Sequence, residues 1–138
     1  RYLLNIYPEF ALETSSGRRE TMSLLRSGQP AMIFFWATWC PHCRSQLTEL
    51  TQQREDIEEK GIKVILVDVG EDAQKVKAYF NANNISLDTF LDQDGVVAND
   101  YKVIGVPTFF FVDTEGTVVA AEHSLISDYE EILLGSAL

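Results

Sequence analysis

Two short stretches of this chain, Ala31–Trp36 and residues 62–69, are apolar almost without interruption. A strand that faces water on one side alternates polar and apolar residues. A short run without that alternation reads as a strand buried on both faces, which needs helices above and below the sheet. The rest of the sequence supplies them. Residues 41–60 read as a helix that stops at Gly61, and residues 72–83 as a second, with Ala73, Val76 and Phe80 on one stripe. Residues 87–91 read as a short strand, 92–95 as a turn and 96–101 as a short helix. Thr108–Val112 reads as a strand, 113–116 as a hairpin turn and 117–122 as the return strand. Ser127 and Glu130 have the spacing of a capping box that opens a last helix, closed by Gly135. Ahead of the first buried run, residues 10–14 and 18–22 read as a β-hairpin around Ser15-Ser16-Gly17. Residues 23–27 read as one helical turn capped by Ser23 and ended by Gly28. The expected architecture is α/β: two parallel crossovers followed by an antiparallel edge, in a mixed central sheet flanked by helices.

The length of 138 residues suits one domain, so residues 1–138 are expected to form a single unit. With 46% hydrophobic and 23% charged residues, the chain can build a core and does not read as disordered. A net charge of −10 repels phosphate, so nucleic acid is not an expected partner, and an anionic membrane face is disfavoured. The longest apolar run, Ala31 to Ala37, has seven residues, against the roughly 20 that a membrane-spanning helix needs. The chain opens on Arg1, and an export signal or anchor ahead of it is left open by the sequence.

Cys40 and Cys43 are the only cysteines, separated by Pro41 and His42 directly after the first buried strand and at the start of a helix. Two residues between cysteines on a first helical turn bring the sulfurs within bonding reach. The bond closes a very small loop and adds little stability, which suits a disulfide that is made and broken. The two sulfurs are not equivalent. Cys43 shares a helical stripe with Leu47, Leu50 and Ile57 and faces inward. Cys40 sits at the helix N-terminus, where unpaired N–H groups and the dipole favour a thiolate. Pro41 lacks an N–H that the first turn leaves unpaired anyway, and His42 is a possible cationic donor beside the thiolate. Cys40 is therefore the expected nucleophile and Cys43 the expected resolving thiol, with Pro41 and His42 tuning them. A quiet disulfide does not need this filling at a strand-to-helix junction. Structural zinc usually takes four ligands at finger-like spacing, and no second Cys or His pair exists, so no metal site is expected. Copper carriage by two thiolates and His42 stays open as an alternative. A peroxidase reading fits poorly, because Thr38 stands two residues before Cys40, which is not the arrangement of peroxide-reducing cysteines.

Phe35-Trp36-Ala37-Thr38-Trp39-Cys40-Pro41-His42-Cys43 and Gly105-Val106-Pro107-Thr108 resemble the thioredoxin superfamily. The resemblance extends to the extracytoplasmic TlpA/ResA/DsbE-like thiol-disulfide oxidoreductases through residues 67–71, 90–95, 101–108 and 113–116 and the N-terminal hairpin. It covers about residues 9–134. It implies a thioredoxin fold with an N-terminal β-hairpin and a central α-β insertion between Glu71 and Leu91. It implies thiol-disulfide exchange on protein substrates, a redox-active Cys40–Cys43 disulfide with no bound cofactor, and a cis-proline at Pro107. A cis bond there presents the Val106 backbone for strand-like pairing with substrate. The resemblance further implies an extracytoplasmic location (periplasm or outer membrane face), with an anchor outside this sequence as one option. An electron-exchanging thiol protein, membrane-bound or not, is the implied partner, cytochrome c maturation an implied context, and a monomer the expected state.

Three positions depart from relatives. Phe34 stands where thioredoxin has a buried acid, and Gln46 where some ResA-like reductases have a Glu, so proton transfer falls to water, His42 or another acid such as Glu71. The Pro-His filling matches the oxidising DsbA protein, and a His that stabilises the thiolate makes the couple less reducing than thioredoxin. A DsbA-like oxidase or isomerase therefore stands beside the reductase. Trp39 is expected to cover Cys40 and shape a substrate groove, Trp36 to lie in the core, and Phe109, Phe110 and Phe111 to pack in a strand. His123 is expected to be solvated, Asp68 to serve a strand-end turn or cap, and Arg44 either to steady an anion or to face solvent.

Overall fold

The computed structural model describes residues 6–135. Its elements, in chain order, are β1 (Ala11–Glu13), β2 (Arg19–Thr21), α1 (Met22–Arg26), β3 (Ala31–Trp36), α2 (Pro41–Glu59), β4 (Lys63–Val69), α3 (Ala73–Ala82), β5 (Phe90–Asp92), α4 (Val96–Asp100), β6 (Thr108–Val112), β7 (Val118–Glu122) and α5 (Tyr129–Leu134). Five strands form the main sheet in the order β5-β4-β3-β6-β7. β3 pairs in parallel with β4, and β4 with β5, whereas β6 and β7 run antiparallel. The mixed sheet expected from two crossovers and a terminal hairpin is what forms, and α3–β5 is the central insertion.

Every residue of β3 is buried, as its uninterrupted apolar run requires. The pleat sorts them. Met32, Phe34 and Trp36 join Cys43, Leu47, Leu50 and Ile57 of α2, Val76 and Phe80 of α3, and Tyr129 and Leu133 of α5. Ala31, Ile33 and Phe35 join Met22 of α1 and Val97 and Ala98 of α4 on the opposite face. Each face thus has its own core, with period 2 in the strands meeting period 3.6 in the helices. Gly61 ends α2 at φ +85°, a left-handed conformation open to glycine at little cost.

Four details differ from the sequence reading. β5 starts at Phe90, not residue 87, because its pairing with β4 begins at Val67 opposite Phe90. The residues before it are tied to the hairpin instead: Ser15 donates to Asp88 at 2.6 Å and Ser15 N–H to Thr89 O at 2.8 Å. Asp92 is the last residue of β5 rather than the first of a turn. Its buried carboxylate accepts the Val97 and Ala98 N–H groups and so caps α4. α1 is capped by Thr21, whose hydroxyl accepts Leu24 N–H, while Ser23 Oγ pairs with the Tyr7 hydroxyl. The capping box at Ser127 and Glu130 does not form. α5 opens after Asp128 with no side-chain cap, and the Glu130 carboxylate pairs with Lys60 at 3.3 Å.

Candidate active site

β3 delivers the chain to the C-terminal end of the sheet at Trp36, and α2 starts five residues later at Pro41. Cys40 is the N-cap of α2, in extended conformation, and its Sγ accepts the Cys43 N–H at 3.1 Å. A sulfur thus occupies the place that Ser or Asp usually takes at a helix start. One otherwise unpaired N–H points at it, along the positive end of the dipole. Pro41 is the first helical residue. Both cysteines are free thiols. Cys43 is sealed, as its place on the Leu47, Leu50 and Ile57 stripe requires. Cys40 keeps only 5% of its surface exposed, less open than its position at the helix end suggests. Burial, then its bond to Cys40, push the Cys43 thiol up to about 12.

The Val106–Pro107 peptide is cis. The Cys40 thiol points at Val106 O, 3.7 Å away, so this backbone lies directly over the sulfur. Val106 is half-buried and Pro107 buried. The loop is held from two sides. Thr108 Oγ1 donates to Gly105 O at 2.6 Å, and His123 Nδ1 lies 2.9 Å from Pro107 O. His123 is exposed, as expected, and it also lies against the back of the proline loop, where the end of β7 carries it. Trp39 is 67% exposed at the rim beside Cys40, and Ile104 is fully exposed on the proline loop. His42 is exposed on the first turn of α2. Trp36 is in the core, its indole N–H donating to Thr89 Oγ1, and Phe109, Phe110 and Phe111 are buried strand residues.

Acidic residues approach the pair from β4 and the loop after it. Glu71 is nearly buried and accepts both the Thr38 N–H, at 2.9 Å, and the Thr38 hydroxyl, at 2.6 Å. It thereby fixes the turn that presents Trp39 and Cys40. Burial alone would raise the Glu71 carboxyl, but the neighbouring Asp68 and the two Thr38 bonds outweigh it and hold it below its usual range. Arg44 Nη1 donates to Thr38 O at 3.0 Å, so it braces the same turn rather than facing solvent. Gln46 is buried, and its Oε1 accepts Leu125 N–H at 2.6 Å, which ties α2 to the segment after β7.

Asp68 corrects the sequence reading. It is neither a turn residue nor a cap. It is the sixth residue of β4, opposite Trp36 and fully buried, with no hydrogen-bond partner on either oxygen among the described residues. Burial first, then the adjacent Glu71, push its carboxyl up to about 9. Its charge acts on Cys43 in turn. The signal was present in the sequence, as the one acid inside an otherwise apolar strand. Among the described residues no group of three or more His, Cys, Asp or Glu side chains is arranged to hold a metal ion.

The model of the AhpC/TSA family matches residues 4–121. Over 131 residues the chain is 30% identical to the thiol-disulfide oxidoreductase ResA of Bacillus subtilis (strain 168), covering 91% of this chain and 73% of that protein. It is 32% identical over 115 residues to the thiol:disulfide interchange protein DsbE of Escherichia coli (strain K12), covering 80% of this chain and 60% of that one. In fold it is similar to a thiol:disulfide interchange protein of the thioredoxin family from Chlorobium tepidum TLS, with a TM-score of 0.79, 22% identity and 97% of each chain covered. The paired thiols at the head of α2, the proline loop above them and these relatives agree: the chain belongs to the AhpC/TSA family, as a thiol-disulfide oxidoreductase of the ResA and DsbE type.

Proposed function

We propose that the chain exchanges disulfides of protein substrates outside the cytoplasm through Cys40 and Cys43, Cys40 attacking and Cys43 resolving. The observation that carries this reading is the placement of the two sulfurs. One caps a helix under the Val106–Pro107 loop, and the other is sealed beneath it. Cys40 attacks a substrate sulfur, the substrate's other sulfur leaves with the electron pair, and a mixed disulfide forms. Cys43 then attacks Cys40 Sγ, closing the Cys40–Cys43 disulfide and releasing the reduced substrate. Trp39 and the Val106 backbone flank the approach and receive the substrate segment, while Pro41 and His42 tune the pair. A partner thiol protein, membrane-bound or soluble, returns the electrons. The kinship with ResA supports the reductive direction and a role in cytochrome c maturation. Among the described residues no helix is long and apolar enough to cross a membrane.

Substituting each cysteine tests the roles. Cys43→Ser is expected to accumulate mixed disulfides with substrate proteins in cells, and Cys40→Ser to abolish exchange. Exchange surviving in both variants would refute the assignment. The reduction potential tests the direction: about −270 mV fits a reductase and about −120 mV an oxidase, which His42 beside Cys40 would favour. Tight copper(I) binding by a reduced protein unable to reduce insulin would replace the exchange reading altogether.

A further inference from the structure

We propose that Asp68 is the proton carrier of Cys43, giving that sulfur a proton when the Cys40–Cys43 disulfide opens and taking it back when the disulfide closes. The proposal rests on the exchange reading above and adds to it the group that moves the proton.

Position comes first. Along β4, Val64 and Leu66 point into the core beneath α2 and α3, and by the two-residue period of a strand Asp68 points the same way. It is the cross-strand partner of Trp36, the residue at which β3 leaves the sheet for the Cys40 turn. Asp68 therefore lies under the first turn of α2, on the side of the sheet that holds Cys43. Cys43 has no exposed surface, so its sulfur cannot trade protons with bulk water directly.

The other groups near the pair are spoken for. Glu71 is held ionised by the adjacent Asp68 and by the N–H and hydroxyl of Thr38, so it stores no proton for Cys43 and can only pass one on from solvent. Tyr79 of α3 is also within electrostatic reach of Cys43, but burial first of all raises its phenol and disfavours proton release. Arg44 is engaged by Thr38 O, and Cys40 is itself in the disulfide that must break. The charged groups that act on Asp68 are Glu71 and Asp72 from the loop above, both negative, and Cys43 from α2. Burial and the two negative neighbours, Glu71 and Asp72, together favour the protonated form, so the carboxyl holds its proton at neutral pH. A buried carboxyl with no hydrogen bond on either oxygen among the described residues costs stability, which marks it as a group kept for a role other than packing.

The step balances. An incoming thiolate attacks Cys40 Sγ and forms a new S–S bond. The Cys40–Cys43 bond breaks, and its electron pair passes to Cys43 Sγ, which takes the Asp68 proton. The Asp68 carboxylate is reprotonated from solvent by way of Glu71, which keeps 6% of its surface exposed. Closure runs in reverse: Asp68 first releases its proton to solvent, its carboxylate then accepts the Cys43 proton, Cys43 Sγ attacks Cys40 Sγ, and the substrate sulfur leaves with the electron pair.

The test uses the oxidised protein opened by dithiothreitol between pH 5 and 9.5, with the intact chain and its Asp68→Asn and Asp68→Glu variants. Asp68→Asn is expected to slow opening at pH 7 by on the order of 10²-fold, the lower end for general acid catalysis. The pH profile should then lose every inflection except that of dithiothreitol, and Asp68→Glu should restore much of the rate. Alkylation of Cys40 by iodoacetamide in the reduced protein should change by less than about threefold, because that reaction does not use Cys43. An unchanged rate and profile in Asp68→Asn would overturn the proposal and leave the exchange reading intact. Failure of Cys43→Ser to trap substrates would instead sink the exchange reading. Should Asp68→Asn not fold, a carbon-13 titration of the Asp68 carboxyl in the unaltered protein decides. A midpoint that differs between disulfide and dithiol forms is expected, and an identical one overturns the proposal.

Discussion

Replacing Asp68 with Asn should change how the stability of this protein depends on pH, and the size of the change follows from burial. The carboxyl ionises near 3.8 in an unfolded chain and at about 9 in the fold. The folded state therefore keeps a proton that the unfolded state releases. The sign follows: the stability associated with this group is complete below pH 4, falls as pH rises, and is lost by about pH 9. Within that window each pH unit removes about 1.4 kcal/mol, or roughly 4 kcal/mol between pH 5 and pH 8. That is a large share of the 5–15 kcal/mol that usually separates folded from unfolded states. Asparagine has the same shape and does not ionise. Its buried amide carries a fixed cost of about 1–3 kcal/mol for unpaired donors, which shifts the curve without tilting it. The Cys43 thiol, pushed up to about 12, stays protonated throughout and contributes no slope. Urea denaturation of both reduced proteins at pH 5, 6, 7 and 8 reads the difference directly. The variant should gain on the parent steadily across the series, by about 4 kcal/mol in total. Two curves that stay parallel would show that Asp68 ionises normally in the fold, and the reasoning from burial would be wrong.

Other perturbations probe other parts. Phe34→Ala removes a fully buried ring stacked on Phe109 at 4.5 Å and should cost about 3–5 kcal/mol in chemical denaturation. Gln46→Ala leaves the Leu125 N–H without its acceptor and should cost about 1–2 kcal/mol, with amide exchange of Leu125 accelerating. Thr38→Val strips Glu71 of its hydroxyl donor, so the Glu71 carboxyl should titrate higher by NMR.

What could be read in advance was what the chain states locally. β3 and β6 match their predicted limits because an uninterrupted apolar run has one good environment, the middle of a covered sheet. The inward stripe of Cys43, Leu47, Leu50 and Ile57 followed from helical spacing alone. Features set by distant residues were not legible. The start of β5 depends on Ser15 and the hairpin holding Asp88 and Thr89, some 70 positions away in sequence. The box at Ser127 and Glu130 has the right letters, yet Lys60 at the end of α2 claims the glutamate. His123 reaches Pro107 only because β7 folds back beside β6. Asp68 was legible as an oddity, but its relation to Cys43 exists only once β4 lies next to β3.

The N-terminal hairpin has a bearing on self-association. A sheet of five strands has two borders whose free N–H and C=O groups can recruit any extended chain that passes. On one border β5 is only three residues long, and Thr14 of the hairpin bridges to Phe90 across it while Ser15 N–H bonds Thr89 O. On the other, β7 follows an irregularity in its pairing with β6, ends in Glu122 and is preceded by a bridge from Ile6 to Thr117. Both borders are thus short, bent or occupied, which leaves little free edge for another extended chain to be zipped onto.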